Sequence, residues 1–222
     1  MSRSAVEPPT FSVEASLWAE GYRAVAGVDE AGRGALAGPV VAAAVIVPAG
    51  TLCSGVWAEV RDSKQLRPAD RERLVPAICT EALAWGVGSA QAAQIDAEGI
   101  AAATRSAMAR AIDSLSIAAD ALVIDWVRLP MLNLRQLSFS RADARVASVA
   151  AASILAKVHR DGLLRALDGA FPAYGFAAHK GYGTRAHLEA LARCGPCSEH
   201  RLTFAPLARD LRLLDDGSDS AG

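Results

Sequence analysis

Val28-Asp29-Glu30-Ala31-Gly32-Arg33-Gly34-Ala35-Leu36-Ala37-Gly38-Pro39 is the stretch on which the reading of this chain turns. It follows an apolar run (Ala24, Val25, Ala26, Val28) and leads into a second, Ala- and Val-rich run over residues 39–47. Both runs read as buried strands, joined by a glycine-rich bend over 32–38. Three chemistries compete for such a segment. As a dinucleotide loop, Gly32, Gly34 and Gly38 form a loose G-x-G-x-x-x-G. Asp29 and Glu30 would then set two carboxylates beside a pyrophosphate, and Pro39 with its β-branched run replaces the required helix. As a P-loop, Gly27 and Gly32 are correctly spaced, but Arg33-Gly34 stands where Lys and Ser/Thr are needed. The third reading makes the carboxylates metal ligands at a strand end and the glycines a backbone that a ligand can approach closely. Neighbouring strand residues face opposite sides. Asp29 and Glu30 can therefore share a metal only if the strand ends or bulges there, and Gly32 permits that bend. A carboxylate pair in a surface turn is the plain alternative. It sits badly with Asp29 following directly on an apolar strand, so the metal reading is preferred.

Working outward, residues 1–20 form an N-terminal arm with a short helix over 13–19. Residues 68–85 read as a helix with Pro68 in its first turn, and 86–90 as a third strand. Residues 96–115 carry Ile100, Ala103, Ala107, Ala111 and Leu115 on one helical face. Strands follow at 121–125 and 136–140, then a long helix over 146–167 and another over 184–193. This order predicts an α/β domain, a mixed β-sheet flanked by helices. Two further acidic residues repeat the setting of Asp29. Asp125 ends the apolar run Ala121-Leu122-Val123-Ile124, and Asp143 precedes the long helix. Singly, a loop carboxylate explains Asp125 equally well, and a helix-start carboxylate explains Asp143 better. With Asp29 and Glu30 they suggest a four-carboxylate cage, too repulsive to remain ionised unless cations fill it.

Composition narrows the partners. The 222 residues are 52% hydrophobic and carry a formal charge of −1, so a nucleic-acid ligand needs a local basic surface rather than a global one. Residues 157–201 offer one, with seven Lys or Arg, four acidic residues and all four histidines; a solvated helical face explains much of this equally well. No apolar run reaches the roughly 18–20 residues of a membrane span, and no signal peptide is visible. A cytoplasmic protein without a membrane partner is expected. Cys194-Gly195-Pro196-Cys197 matches a C-x-x-C redox or zinc pattern. It follows a helix instead of opening one, and no fourth ligand is near, so it reads as a helix stop.

Five blocks then carry a resemblance: residues 27–34 with 36–41, Asp62-Ser63-Lys64-Gln65-Leu66, residues 150–158, His179-Lys180-Gly181-Tyr182-Gly183-Thr184, and His200-Arg201 with Phe204 and Pro206. In this order, over residues 21–207, they resemble the ribonuclease HII family. The resemblance implies a ribonuclease H-like mixed sheet over 21–168 and a small C-terminal helical part over 169–208 that completes the substrate cleft. Residues 209–222 are expected to be a disordered tail. It implies an endonuclease that hydrolyses the RNA strand of RNA–DNA hybrids and nicks 5′ of single ribonucleotides in duplex DNA, leaving 5′-phosphate and 3′-hydroxyl ends. Two divalent ions, Mn²⁺ or Mg²⁺, would be held by Asp29, Glu30, Asp125 and Asp143.

By the same resemblance, Gly32, Arg33 and Gly34 recognise the ribonucleotide 2′-hydroxyl, the group that separates RNA from DNA. Tyr182 packs on the sugar beyond the junction, although a partly buried loop ring explains the residue alone equally well. Ser63, Lys64 and Lys180 fall near phosphates. The sequence departs from the family at Trp126, where Gly is frequent, and at Arg141-Ala142, Thr203 and Ala205. A monomer is expected, and no motif for a sliding-clamp partner is visible. A non-catalytic hybrid-binding protein is the competing reading.

Overall fold

The computed structural model describes residues 8–208; the tail expected over 209–222 and the first seven residues of the arm lie outside the described residues. β1 (Val25–Ala31) pairs antiparallel with β2 (Val40–Ile46), in a register that sets Asp29 opposite Ala43. β2 pairs antiparallel with β3 (Ala84–Ala90). On the other side, β4 (Ala121–Asp125) runs parallel to β1 and β5 (Arg135–Phe139) parallel to β4. The sheet order is β3-β2-β1-β4-β5. All seven residues of β2 are buried, the continuous apolar pattern of a strand covered on both faces.

Alternation along the strands divides the core in two. Val25, Ala43, Val45 and Val123 face α5 (Ala147–Ala170) and α2 (Pro68–Glu81). Ala26, Val28, Ala44, Leu122 and Ile124 face α4 (Ile100–Asp113), which presents Ala103, Ala107, Met108 and Ala111. Small alanines on both partners let the helices lie close to the sheet. The expected mixed sheet between helices is therefore the observed one.

The boundaries differ at informative places. The helix expected over 68–85 ends at Glu81, because Ala84 and Trp85 pair with Ile46 and Val45 as the start of β3. Ala and Trp accept either state, and the sheet ladder decides. The helix expected over 96–115 is two, α3 (Ala92–Glu98) and α4, divided at Gly99 with φ +79°, where a left-handed residue cannot continue the helix. β1 continues through Glu30 and Ala31 rather than ending at Asp29, with consequences for the site described below.

The N-terminal segment is more than an arm. α1 (Ser12–Ala19) buries Leu17 and Trp18 with the preceding Phe11, whose ring lies 5.8 Å from that of Trp57. Glu14, 1% exposed, accepts the backbone N–H of Ser148 at 2.9 Å. α5 has no capping side chain of its own, so a carboxylate from α1 satisfies one of its orphan N-terminal donors and sits at the positive end of its dipole. A third apolar cluster, with Leu36, Leu164, Tyr174, Phe176 and Leu191, joins α6 (Phe176–His179) and α7 (Arg185–Cys194) to the glycine-rich loop. α7 stops at Gly195, φ +69°, as the helix-stop reading of Cys194–Cys197 expects, and both cysteines are free thiols.

Glu14→Ala should lower the unfolding free energy by about 1 kcal/mol in urea denaturation, the usual cost of removing a cap. An unchanged midpoint would show that the bond to Ser148 contributes nothing.

Candidate active site

Val28 is in register with Ile124 across the parallel β1–β4 pair, so Asp29 and Asp125 follow side by side at the carboxyl ends of adjacent strands. That edge of an α/β sheet is where ligands commonly bind. The Asp125 carboxylate accepts the N–H of Ala142 at 2.7 Å. This bond fastens the 3-10 turn Ala142–Ala144, with Asp143 at its centre, to the end of β4. Strand and turn thus bring three of the expected carboxylates together by backbone geometry.

Glu30 is placed differently. β1 neither ends nor bulges at this point, so the expected break in the strand is absent and Glu30 leaves the opposite face from Asp29. Its longer side chain nonetheless stays within electrostatic reach of Asp29, Asp125 and Lys64, so a shared site does not need that break. The Glu30 carboxylate lies 3.9 Å from Arg33, while its Oε2 is buried without a hydrogen-bond partner. Among the described residues, no three His, Cys, Asp or Glu side chains converge closely enough to hold a metal as they stand. The electrostatics nonetheless link them. Burial, then the charges of Glu30 and Asp125, hold the Asp29 carboxyl well above the usual range. Burial raises Glu30 to about 7, with Arg33 and Lys64 opposing and Asp125 adding to the rise. Asp143 is raised by burial, then by Asp62 and Asp125. A buried, mutually repelling oxygen-donor set with an unpartnered carboxylate oxygen suits a hard divalent cation.

Above these carboxylates the loop over 32–39 is held by two arginines, both 0% exposed. Arg160 donates to the carbonyls of Pro39 (2.9 Å), Ala37 (3.0 Å) and Lys180 (2.9 Å). Arg201 donates to Gly32 (2.8 Å), Arg33 (2.9 Å) and Gly38. Burial and then the Arg160 charge push Arg201 down to about 9, so it remains protonated at neutral pH. The two glycines of the loop have separate reasons. Gly32 has φ +88°, and a Cβ there would meet the Arg160 side chain at 1.8 Å. Gly34 is exposed, has no positive φ and faces open space. The fold requires glycine at 32 and not at 34.

The second loop docks directly on the first. The Gly181 carbonyl accepts the N–H groups of Leu36 (2.8 Å) and Ala37 (3.2 Å), which sets the half-buried Tyr182 beside the glycine segment. The Tyr182 ring faces the cations of Lys157 at 5.6 Å and Arg160 at 5.3 Å. A chain of histidines supports it from behind. The Tyr182 carbonyl can only accept, so His187 Nδ1 donates to it at 3.0 Å. His187 Nε2 then accepts from His200 Nε2 at 3.0 Å, and His200 Nδ1 accepts the Cys197 N–H at 3.0 Å. Burial, then the neighbouring imidazole, lowers His200 to about 4; burial also lowers His187. His187 and His200 are committed to structure as neutral rings.

The remaining expected residues divide. Lys64 stands at the site with its exposed ammonium 3.6 Å from Asp143 and 3.8 Å from Asp62; burial opposes its charge, but the surrounding carboxylates outweigh that and raise it. Ser63 is buried beneath, its hydroxyl bonded to that of Ser153 at 2.9 Å. The Lys180 ammonium turns back onto the Ala177 carbonyl. Arg33 lies against the indole of Trp126 at 5.3 Å. Asp62 and Arg201 stand in the resembling blocks without a role, and Arg160 was not singled out from the sequence. Arg160 carried a signal, since it falls on the stripe Val149-Ser153-Ala156-Arg160-Leu164, where an arginine among buried positions marks a guanidinium with internal acceptors.

A five-stranded mixed sheet with helices on both faces and acidic residues near the carboxyl ends of two adjacent parallel strands defines an α/β protein of the ribonuclease H-like class. The family model Ribonuclease HII matches residues 26–207. A ribonuclease HII from Roseiflexus castenholzii is 53% identical over 201 residues, covering 90% of this chain and 90% of that one. The solved ribonuclease H2 from Pyrococcus horikoshii OT3 has a TM-score of 0.72 at 25% identity, over 86% of this chain and 98% of the other. The PCNA:RNase HII complex from Archaeoglobus fulgidus matches with a TM-score of 0.64 at 25% identity, over 81% and 92%. The chain belongs to the ribonuclease HII family, and its enzyme class is ribonuclease H.

Two outcomes are expected from the loops. Gly34→Ala should leave the thermal midpoint unchanged while lowering cleavage, whereas Gly32→Ala should lower the midpoint by several degrees, as overpacking costs about 1–3 kcal/mol. Equal effects on stability would remove the distinction. The histidine chain predicts a pH dependence. A base with a lowered folded pKa contributes stability that is fully present above about 6.5 and lost as pH falls towards 4. The stability advantage of the protein over His200→Gln, measured in urea, should therefore shrink between pH 7 and 4.5. A constant advantage would show His200 titrating alike in both states.

Proposed function

We propose that this protein is an endonuclease that hydrolyses the RNA strand of RNA–DNA hybrids and nicks duplex DNA 5′ of single embedded ribonucleotides, leaving 5′-phosphate and 3′-hydroxyl ends. One observation carries the reading: Asp29 and Asp143 are buried beside Asp125 near the ends of two parallel strands, with the half-buried Glu30 electrostatically linked to them, beneath a glycine loop locked by two arginines. Asp29, Glu30, Asp125 and Asp143 would hold the divalent ions, Mn²⁺ or Mg²⁺. Bound there, such ions supply charge for water activation and for the leaving oxygen.

The chain's own groups do the rest. Lys64 places a positive charge beside Asp143, where the scissile phosphate must approach the carboxylates. The open face of Gly34 lets backbone groups reach a 2′-hydroxyl that a Cβ would obstruct. Tyr182, fixed by the His187 bond, offers a flat surface to the next sugar, where an added 2′-hydroxyl would crowd the ring and favour deoxyribose. Arg33 supports the loop through Glu30 and Trp126. Ser63 and Lys180, with their polar groups turned inward, shape the walls of the cleft. The reading places the protein in the cytoplasm as a monomer, in ribonucleotide excision and replication. A sliding clamp is the partner class suggested by the Archaeoglobus fulgidus complex.

The test is cleavage of an end-labelled DNA duplex containing one ribonucleotide, with Mg²⁺, Mn²⁺ or EDTA. A single metal-dependent nick on the 5′ side is expected, and Asp143→Asn should slow it by about 10²-fold or more with the fold intact. Near-normal cleavage by that variant would remove Asp143 from the site. Binding of hybrid without cleavage in either metal would support the non-catalytic reading instead.

A further inference from the structure

The residue after Asp125 is under strain that neither the core nor the sheet explains. Trp126 has φ +59°, a left-handed conformation that a bulky side chain rarely takes. It lies at the centre of a tight turn closed by the Val127 N–H on the Asp125 carbonyl at 2.7 Å, and its own N–H reaches Phe139 at 3.2 Å. Its side chain is 60% exposed, so packing does not compensate the backbone. Strain of this kind, kept at a functional edge, points to what the side chain does there.

Its surroundings say what that is. The Arg33 guanidinium lies 5.3 Å over the indole. Beside the pair is a cleft of about 140 Å³ lined by Arg33, Thr104, Arg105, Trp126 and Arg128, with no carboxylate in its wall. The Arg105 Nε is closed off from solvent without an acceptor. Among the described residues neither Arg105 nor Arg128 forms an ion pair. Three guanidiniums around an exposed indole make a receptor for an anion attached to a flat or apolar group. The cleft adjoins Asp125 through the turn and Glu30 through Arg33, so its occupant is continuous with whatever the carboxylates bind.

We propose that Trp126, Arg33, Arg105 and Arg128 form a subsite for a backbone phosphate of the duplex substrate, with the indole packed on the adjoining sugar. The inference rests on the nuclease reading and adds a binding element to it. Trp126→Gly tests the indole without endangering the fold, because glycine adopts φ +59° freely. KM for the ribonucleotide-containing duplex should rise about tenfold, the usual effect of removing a stacked ring, with a smaller change in kcat and an unchanged or higher thermal midpoint. Arg105→Gln/Arg128→Gln should make the salt dependence of duplex binding, read by fluorescence anisotropy, shallower by about one unit of log K per log salt, as when one fewer phosphate is neutralised. An unchanged KM in the first variant, or an unchanged slope in the second, overturns the subsite while wild-type nicking stands. Absence of nicking by the wild type overturns the nuclease reading itself.

Discussion

Two buried guanidiniums hold the segment that everything else surrounds. The loop over 32–39 turns sharply between two buried strands and cannot pair its carbonyls in a sheet. Left dry and unpaired, each would cost about 1–3 kcal/mol. Arg160 and Arg201 supply rigid, forked donors from the long helix and from the C-terminal part, and between them they take up the carbonyls of Gly32, Arg33, Ala37, Gly38, Pro39 and Lys180. Lysine could not replace either residue, since a single ammonium lacks the fork that reaches several carbonyls at once. These bonds also explain why the Tyr182 loop and the glycine loop keep one relative position: Arg160 bonds to both.

The acidic end of the sheet likewise depends on one residue with several partners. Asp125 acts through its backbone and its side chain together. Its carboxylate fixes the Asp143 turn, its position beside Asp29 follows from the parallel register, and its charge raises three neighbouring carboxyls. Lys64 and Arg33 offset that charge from the rim, and each lies close to a carboxylate. Stability is given up at this edge while the rest of the sheet remains apolar, the usual division between a core and a working site.

Much of this was legible in the sequence. The apolar run ending in Asp125 located one strand end and that before Asp29 located a second strand, though not its end, and the uninterrupted apolar character of 39–47 identified a strand covered on both faces. What escaped was decided by tertiary packing. Ala84 and Trp85 suit helix or strand, and pairing with β2 chose strand. Gly99 divides a helix whose apolar stripe gives no sign of a break. The strand's continuation through Glu30 depends on a register with Ala42 that no local pattern encodes. Gly32 and Gly34 look equivalent in the sequence, yet Arg160, far along the chain, demands only the first. The strain at Trp126 was invisible because a left-handed tryptophan has no sequence signature, although its departure from the family's frequent glycine marked the place.

The distance along the chain between the parts of this site has a consequence for synthesis. Residue 29 leaves the ribosome long before residue 125, and the loop that begins at Gly32 waits for Arg201, close to the last described residue, before its carbonyls are satisfied. An incomplete chain therefore has its first carboxylates but neither the strand that partners them nor the guanidinium that sets the loop. The loop that carries the glycines can take its final shape only after the C-terminal part has folded back onto it.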